Sequence, residues 1–224
     1  ISYEREIILQ EVISIRSRHK RMGTRKLYEV LEPFMLMHQI KMGRDALFDL
    51  LSKNNLLIRK RRTRVFTTQS SHWLRKYPNL IRDFIPNSVN QLYVSDITYW
   101  KINTGYLYIS FITDVYSHKI VGYNLAKTLE AIESIKALKM ALKSLKSIPS
   151  DLIHHSDRGV QYCSNEYVKL LQNNHIKISM TENGDPLENA IAERVNGILK
   201  DEYLECYTVD NFEDAEKLLS SVVK

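Results

Sequence analysis

Three acidic residues, Asp96, Asp157 and Glu193, occupy positions where a carboxylate could bind a cation. Asp96 lies in a segment of Leu, Val, Ile and Tyr that is predicted to form a strand, where burying an unpaired carboxylate costs several kcal/mol. Asp157 follows a short predicted strand, and loops at the carboxyl ends of strands carry the ligand sites of α/β folds. Each acid alone is also compatible with a structural role, since alternation groups Asp96 with Val94 and Thr98 without showing which face is buried.

Glu193 belongs to a predicted helix, residues 187–205, whose faces can be compared. The apolar residues at spacings of three and four, which predict a core-facing stripe, are Leu187, Ile191, Val195 and Ile198. Glu193 lies about 200° round the helix axis from this stripe. It shares its side of the helix with Asn189, Gly197 and Lys200. That side carries an acid, a base and an amide, although periodicity alone favours a plain solvated face.

The cysteines and their neighbouring histidines favour no other chemistry. Cys163 follows His154 and His155 closely, but the segment contains no nucleophile elbow of the kind that a hydrolase uses. The same residues taken with Cys206 lack a recognisable zinc-ligand spacing. Two cysteines are also too few for a disulfide framework, which favours the reducing cytosol as the compartment.

Charges are distributed unevenly along the chain. Residues 1–82 contain 18 Lys and Arg against 7 Asp and Glu, whereas residues 83–224 contain 14 against 19. A basic front half favours nucleic acid as a partner. The densest basic run, which favours phosphate contacts over a merely solvated surface, consists of Arg59, Lys60, Arg61, Arg62 and Arg64.

Helical periodicity predicts three short amphipathic helices in the front half, at residues 4–18, 24–32 and 44–53. Thr24 is a candidate N-cap of the second helix, and Pro33 is expected to end it. Short helices joined by tight turns are compatible with a helix-turn-helix unit, although many small helical domains share this pattern. We assign residues 1–67 to a helical DNA-binding region with a basic arm, including Arg44 as a candidate DNA contact, and residues 68–90 to a linker.

From residue 91 the pattern changes to that of an α/β domain, residues 91–224. Segments rich in β-branched and aromatic residues predict strands at 91–100, 105–113, 119–125, 151–154 and 175–178. Helical periodicity predicts helices at 129–146, 164–173 and 187–205. Hairpin-linked strands followed by alternating helices and strands predict one sheet of mixed strand directions.

The composition is that of an ordinary globular protein. Among the 224 residues, 44% are hydrophobic and 26% are charged, which argues against a disordered tail or a fibrous repeat. No apolar run approaches the roughly 18 residues of a membrane span. The first ten residues lack the apolar core of a signal peptide. We therefore expect no membrane partner.

Three segments, in order, resemble the integrase core of bacterial insertion-sequence transposases, in the group whose second reading frame encodes the catalytic subunit. These segments are VSDITYW, HHSDRGVQYCS and ENAIAERVNGILK. The 35 residues between Asp157 and Glu193, and Lys200 seven positions after the glutamate, match that family's pattern. The segments MGTRKLYEVL and GRDALFDLLSKNNLLIRKRR are similar to the helical DNA-binding region that precedes the core. Retroviral integrases resemble the chain more distantly.

The resemblance implies a ribonuclease H-like mixed-sheet core preceded by a small all-α, helix-turn-helix-like region. In such proteins three carboxylates hold two Mg²⁺ or Mn²⁺ ions, and position by position these are Asp96, Asp157 and Glu193. Hard divalent cations prefer oxygen ligands, and two such ions can activate an attacking oxygen and stabilise a leaving one. The implied reactions are nicking of the element's ends by water and strand transfer by a DNA 3′-hydroxyl.

The same resemblance implies contacts with double-stranded DNA, at the element's terminal repeats and at the target. Lys200 is expected to contact a phosphate near the scissile bond, and loop 181–186 to form a mobile lid over the DNA. Asn189 and Arg158 are further candidate DNA contacts. We expect a homo-oligomer, with a first-reading-frame protein as another candidate partner, in the bacterial cytoplasm at the nucleoid.

Departures from the family pattern leave two alternatives open. Tyr93 and Glu188 stand where the family usually has Trp and Asp, and both exchanges keep the chemical character. The family's usual C-terminal stretch is absent, so a truncated copy with weakened chemistry is one expectation. The alternatives are a truncated, non-catalytic DNA-binding inhibitor of transposition and a ribonuclease H-type nuclease. The acidic spacing and the basic front half favour the transposase.

Overall fold

The computed structural model describes three parts of the chain: residues 3–58, 72–182 and 189–223. These residues form two compact units. The first contains the described residues of Ile1–Arg64 together with Asp201–Tyr207, and the second those of Val65–Lys200 together with Thr208–Lys224. Within the described parts, no helix combines the length and the apolar composition that a membrane crossing requires.

Three helices form the first unit because their apolar residues recur at helical spacing and meet in one core. They are α1 (Tyr3–Arg18), α2 (Thr24–Met37) and α3 (Arg44–Lys53). Their fully buried side chains are Ile8, Val12, Leu27, Leu31, Leu47 and Leu51. The three predicted helices are therefore confirmed.

Helix α2 is longer than the sequence predicts. The expectation that Pro33 ends the helix is wrong, because Pro33 lies inside it and the helix continues for another turn. An internal proline removes a backbone hydrogen bond and costs about 3 kcal/mol. Burial of Leu31 and Met35, on either side of the proline, offsets this cost by keeping the helix on the core. The predicted cap is also wrong, since Gly23 is the N-cap and the buried Thr24 is the first helical residue.

The second unit is built on a five-stranded sheet in the order β3-β2-β1-β4-β5. Its strands are β1 (Leu92–Ile102), β2 (Gly105–Asp114), β3 (Ile120–Ala126), β4 (Ile153–Ser156) and β5 (Lys177–Met180). Strand β2 pairs antiparallel with both β1 and β3, whereas β4 pairs parallel with both β1 and β5. This mixed sheet confirms the predicted α/β class.

Helices cover both faces of the sheet. They are α4 (Ala131–Lys143), α5 (Val160–Cys163), α6 (Asn165–Asn173) and α7 (Ala190–Ile198), with α8 (Phe212–Val223) completing the unit. Tyr93 and Ile97 of β1 pack in the core formed with α4, α5 and α6. Leu92 and Val94 pack in the opposite core with Ala192 of α7. Because side chains alternate along a strand, the residue after Ser95 faces α7.

The predicted helix at 187–205 changes its winding part of the way along. Helix α7 ends at Ile198 and is followed by a π-helical turn, Leu199–Tyr203, and then by a 3₁₀ turn, Leu204–Cys206. Single π-helical turns are rare and occur often at functional sites. This one contains Lys200.

The segment 72–90, which we expect to be a linker, contacts the sheet of the second unit. Leu74 and Tyr77 pack against the core under α4 and α6. The backbone amide of Leu80 donates to Ser179 Oγ on β5 over 2.9 Å. The segment thereby covers part of an edge strand, which protects it from pairing with other chains. The predicted boundary between basic arm and linker lies outside the described residues.

Gly122 of β3 marks the closest approach of the sheet to α4. A Cβ atom there would lie 2.2 Å from the carbonyl oxygen of Ala137 and 2.9 Å from the Cβ of Ala141. We expect Gly122→Ala to lower the free energy of unfolding by about 1–3 kcal/mol through overpacking. Gly197→Ala is the matched control, because its Cβ would meet nothing within 4 Å and alanine favours the helix. Urea denaturation measures both, and equal stabilities would contradict the close packing.

Candidate active site

The parallel pairing of β1 with β4 brings two of the predicted acids together. Its last register pair is Ser95 with Ser156, and the next residues along the two strands are Asp96 and Asp157. Neighbouring strands lie about 4.8 Å apart, so the two aspartates stand side by side where the pairing ends. This is the carboxyl end of β4 and of its parallel pairing with β1, which itself continues to Ile102. Ligands of α/β sheets bind at the carboxyl ends of parallel strands.

Two asparagines fasten helix α7 and its entrance to this part of β1. Asn189 Nδ2 donates to the backbone oxygen of Ser95 over 3.2 Å, and Asn196 Nδ2 donates to Asp96 Oδ2 over 2.6 Å. Seven residues separate the asparagines, which is two helical turns, so both lie on the same side of the helix. Glu193 lies between them on that side, at i+4 from Asn189 and i−3 from Asn196. The third predicted acid therefore lies on the side of the helix that is hydrogen-bonded to β1.

The three acids interact electrostatically. Burial of the carboxyl group, followed by the charge of Asp157 and to a smaller extent that of Glu193, raises the pKa of Asp96 from 3.8 to about 7. The hydrogen bond from Asn196 opposes this rise because it stabilises the ionised form. The protein thus holds like charges together at a cost that a bound cation would relieve.

Solvent exposure distinguishes Glu193 from the aspartates. Asp96 and Asp157 are half-buried, whereas Glu193 is exposed. Among the described residues, no three His, Cys, Asp or Glu side chains are grouped closely enough to hold one metal ion. The donor set nevertheless fits a hard divalent cation, because all three candidate ligands offer carboxylate oxygens.

Behind Asp96 lies a buried hydrogen-bond cluster that the sequence analysis missed. The Nε2 atom of His154, on β4, lies 2.7 Å from Ser95 Oγ and 2.9 Å from the hydroxyl oxygen of Tyr167 on α6. Burial, and then the charge of His155, lowers the pKa of His154 to about 3, so the ring stays neutral. The cluster links β1, β4 and α6 one residue before Asp96.

The loop that follows β4 is also held in place. Asp157 Oδ1 accepts a hydrogen bond from the backbone amide of Gly159 over 2.9 Å. The backbone oxygen of Arg158 lies 2.8 Å from Nε2 of His72. These contacts fix the direction in which the chain leaves β4, and with it the position of the Asp157 carboxylate.

Cys163 lies near this loop but has no nucleophilic character. The side chain is buried, and burial, followed by the charge of Asp157, raises the pKa of its thiol to about 11. A thiol with that pKa is protonated at neutral pH and is a poor nucleophile. This environment agrees with the sequence, which contains no nucleophile elbow around Cys163.

The predicted DNA contacts fall in different surroundings. Lys200 Nζ lies 3.3 Å from the centre of the Tyr99 ring on β1. Asn189 is buried in the packing of α7 on β1, Arg158 is half-buried next to Asp157, and Arg44 is the exposed first residue of α3. The basic run Arg59, Lys60, Arg61, Arg62 and Arg64 and loop positions 183–186 lie outside the described residues. Their contacts with DNA stay predictions.

Helix α7 departs from the face assignment made from its periodicity. Ile191, Val195 and Ile198, predicted to face the core, are only partly buried, whereas Ala192 and Asn196 are buried. The reason is that the helix packs over Ser95 and Asp96 of β1, where the asparagine amide nitrogens find hydrogen-bond partners. Asn196 could have been found from its place seven residues after Asn189, on the face that carries Glu193.

A mixed five-stranded sheet, with acids where the pairing of β1 with β4 ends and a helix across them, is the arrangement of a ribonuclease H-like fold. Residues 86–186 match the integrase core domain family, and residues 174–224 match a second integrase core domain model. The fold is similar to a chain in the cryoEM structure of the simian T-cell lymphotropic virus intasome in complex with PP2A regulatory subunit B56 gamma. That similarity has a TM-score of 0.52 at 19% identity and covers 95% of this chain and 66% of the other.

Sequence relatives define the family more narrowly. The insertion element IS600 uncharacterized 31 kDa protein of Shigella sonnei is 36% identical over 215 residues, covering 96% of this chain and 77% of that protein. The transposase for insertion sequence element IS629, also of Shigella sonnei, is 31% identical over 182 residues, covering 81% of this chain and 60% of that protein. The chain belongs to the integrase-core family of bacterial insertion-sequence transposases, as its motifs predicted.

Neutral burial of His154 predicts a pH-dependent stability. Between pH 3 and 6.5 His154 binds a proton in the unfolded chain but not in the native protein. The contribution of His154 to the free energy of unfolding is therefore complete above pH 6.5 and declines as the pH falls. We expect the stability difference between wild type and His154→Gln to shrink by about 2 kcal/mol from pH 7 to pH 5. Urea denaturation at both pH values measures this difference. The titration of Asp96 contributes equally to both proteins and therefore cancels in the difference. Parallel pH profiles would contradict a neutral buried ring.

Proposed function

We propose that this chain is the catalytic subunit that nicks the ends of an insertion sequence and joins them to target DNA by metal-dependent phosphoryl transfer. Support comes chiefly from the register that sets Asp96 beside Asp157 where the parallel pairing of β1 with β4 ends. The helix that carries Glu193, together with its N-cap, is hydrogen-bonded to Ser95 and Asp96 of β1. The chain spans only 60% of the length of its IS629 relative, so the activity of the whole protein is part of this proposal.

Asp96, Asp157 and Glu193 would hold two Mg²⁺ or Mn²⁺ ions. When bound, such ions supply Lewis acidity to an in-line displacement at phosphorus. The residues themselves contribute position and charge. Asn196 holds Oδ2 of Asp96 and Gly159 holds Oδ1 of Asp157, so neither carboxylate rotates freely. Glu193, exposed on the facing helix, completes the set of oxygen donors.

Water would attack the phosphodiester in the nicking step, and the resulting DNA 3′-hydroxyl would attack the target strand in the joining step. Each displacement exchanges one P–O bond for another, so neither step needs an oxidant or an energy source. Lys200, two turns after Glu193, would contact a phosphate close to the acids. An ammonium group next to a phosphate neutralises part of the charge that accumulates during transfer.

The remaining assignments follow from this role. The three-helix unit and the basic arm would bind the terminal repeats, with Arg44 and the run from residue 59 to 64 contacting phosphates. Two element ends must be joined at once, which favours a homo-oligomer, and a first-reading-frame protein is a further candidate partner. A protein with this role would act in the bacterial cytoplasm, at the nucleoid.

Nicking of labelled element-end DNA in Mg²⁺ or Mn²⁺ tests the proposal. We expect Asp157→Asn and Glu193→Gln to reduce the rate to below about a hundredth of wild type, because each removes a charged ligand. Asn196→Ala removes only the hydrogen bond that orients Asp96 and should slow the reaction about 10- to 100-fold. Asp151→Asn and Glu216→Gln make the same chemical changes at exposed positions and should retain activity.

Three other results would contradict the proposal in distinguishable ways. A wild-type chain that binds element-end DNA but gives no product with either metal would be a non-catalytic DNA-binding inhibitor. Cleavage of an RNA–DNA hybrid in preference to the element end would indicate a ribonuclease H-type nuclease. Activity that survives both Asp157→Asn and Glu193→Gln would remove the acids from the mechanism.

A further inference from the structure

Aromatic and basic side chains meet at the outer end of the β1–β2 hairpin. This hairpin patch consists of Tyr99, Lys101, Tyr106 and Lys200. Lys101 and Tyr106 face each other directly across the antiparallel pair, so their side chains share one face of the sheet about 5 Å apart. Tyr99 lies on the same face, two residues before Lys101. Tyr106 is 51% exposed, so this large ring remains accessible to a ligand.

The rings of the hairpin patch are held in a defined arrangement. The Tyr99 and Tyr106 centroids lie 6.0 Å apart at an interplanar angle of 67°, an edge-to-face contact. Lys200 Nζ lies 3.3 Å from the centre of the Tyr99 ring, so the ammonium group occupies that ring's face. Tyr99 is therefore engaged by two neighbours, whereas Tyr106 presents its ring to solvent.

The hairpin itself is anchored, which keeps the patch in place. The backbone amide of Asn103 donates to the backbone oxygen of Val209 over 3.0 Å, and Thr104 Oγ1 donates to that of Asp210 over 3.1 Å. Asn103 also donates from its side chain to the Asp210 carboxylate. Hydrogen bonds from Asn103 and Thr104 thus hold the turn of the hairpin to residues 209 and 210.

We propose that Tyr106 is a stacking site for an unpaired base of DNA, with Lys101 and Lys200 contacting the adjoining phosphates. The inference rests on the proposed function, because a single-stranded site is useful beside acids that cut and join DNA strands. An exposed aromatic ring next to cations is the arrangement by which proteins hold single strands without reading their sequence. Each stacked base contributes about 1–3 kcal/mol to such binding.

Lys200 connects the patch to the acids. It follows Glu193 by seven residues, or about 10 Å at 1.5 Å per helical residue, and its ammonium group lies on the Tyr99 ring. That distance corresponds to about three stacked nucleotides at 3.4 Å each. A base in an intact duplex has both faces covered by its neighbours, so the site would select an unpaired segment a few nucleotides from the reacting phosphate.

Binding of a fluorescent single-stranded oligonucleotide, in chelator and at one fixed salt concentration, tests this inference without depending on catalysis. We expect Tyr106→Ala to weaken binding about 5- to 100-fold, and Tyr106→Phe, which keeps the ring, to bind as wild type does. Tyr116→Ala is the matched control, since Tyr116 is 52% exposed and lies in the turn after β2. Affinity for duplex of the same sequence should be unchanged in all three variants.

Photocrosslinking gives an independent readout. An oligonucleotide containing 5-iodo-2′-deoxyuridine should crosslink to the peptide that contains Tyr106, and Tyr106→Ala should abolish that product while Tyr116→Ala retains it.

Four results would overturn the stacking site: unchanged single-strand affinity in Tyr106→Ala, an equal loss in Tyr116→Ala, an equal loss for duplex, or a loss in Tyr106→Phe. A chain that binds single strands through Tyr106 yet nicks no element end would contradict the proposed function and leave this inference standing.

Discussion

The register between β1 and β4 is the constraint on which the rest of the site depends. Four residue pairs join these strands, and the pairing stops at Ser95 and Ser156. A shift of one residue would turn Asp96 to the opposite face, away from α7 and from the amide of Asn196. The buried contact of His154 with Ser95 secures this register by linking the two strands from the side. Hydrogen bonds inside the sheet thus determine whether two carboxylates can share a ligand.

Helix α7 shows how a polar helix face can be buried. Its contact with β1 contains Asn189 and Asn196, whose amide nitrogens are bonded to Ser95 and Asp96 of that strand. A buried partner lowers the cost of burying each amide nitrogen, so the helix can lie over acids that an apolar face would desolvate completely. Burial and mutual repulsion still raise the pKa of Asp96. The fold therefore tolerates an unfavourable cluster of charge at the place where a cation would make it favourable.

Sequence patterns predicted most of the fold because its elements follow local rules. All five strands and the front helices form close to where alternation and helical spacing predict them, although β4 and β5 each begin two residues later than predicted and α2 ends five residues later. The failures have tertiary causes: Pro33 is accommodated because core contacts flank it, and α7 turns its asparagines inward because β1 offers them partners. Alternation alone left the face of Asp96 open, and the packing of Val94 against α7 resolves it.

The sequence patterns named three candidate acids but not the groups that contact two of them or lie behind them. Asp157 and Glu193 belong to motifs with a recognisable spacing, whereas Asn196 and His154 act through partners on other elements. Such partners are set by strand register and helix packing, which no local pattern specifies. Tyr106 was missed for the same reason, since its neighbours Lys101 and Tyr99 belong to the opposite strand.

Anomalous diffraction from crystals of the chain grown with Mn²⁺ tests whether strand register brings the acids into one metal site. We expect anomalous density between Asp96 and Asp157, about 2–2.5 Å from a carboxylate oxygen of each, with Glu193 turned toward it. Absence of density between two well-ordered aspartates at saturating Mn²⁺, or density only elsewhere in the chain, would contradict it.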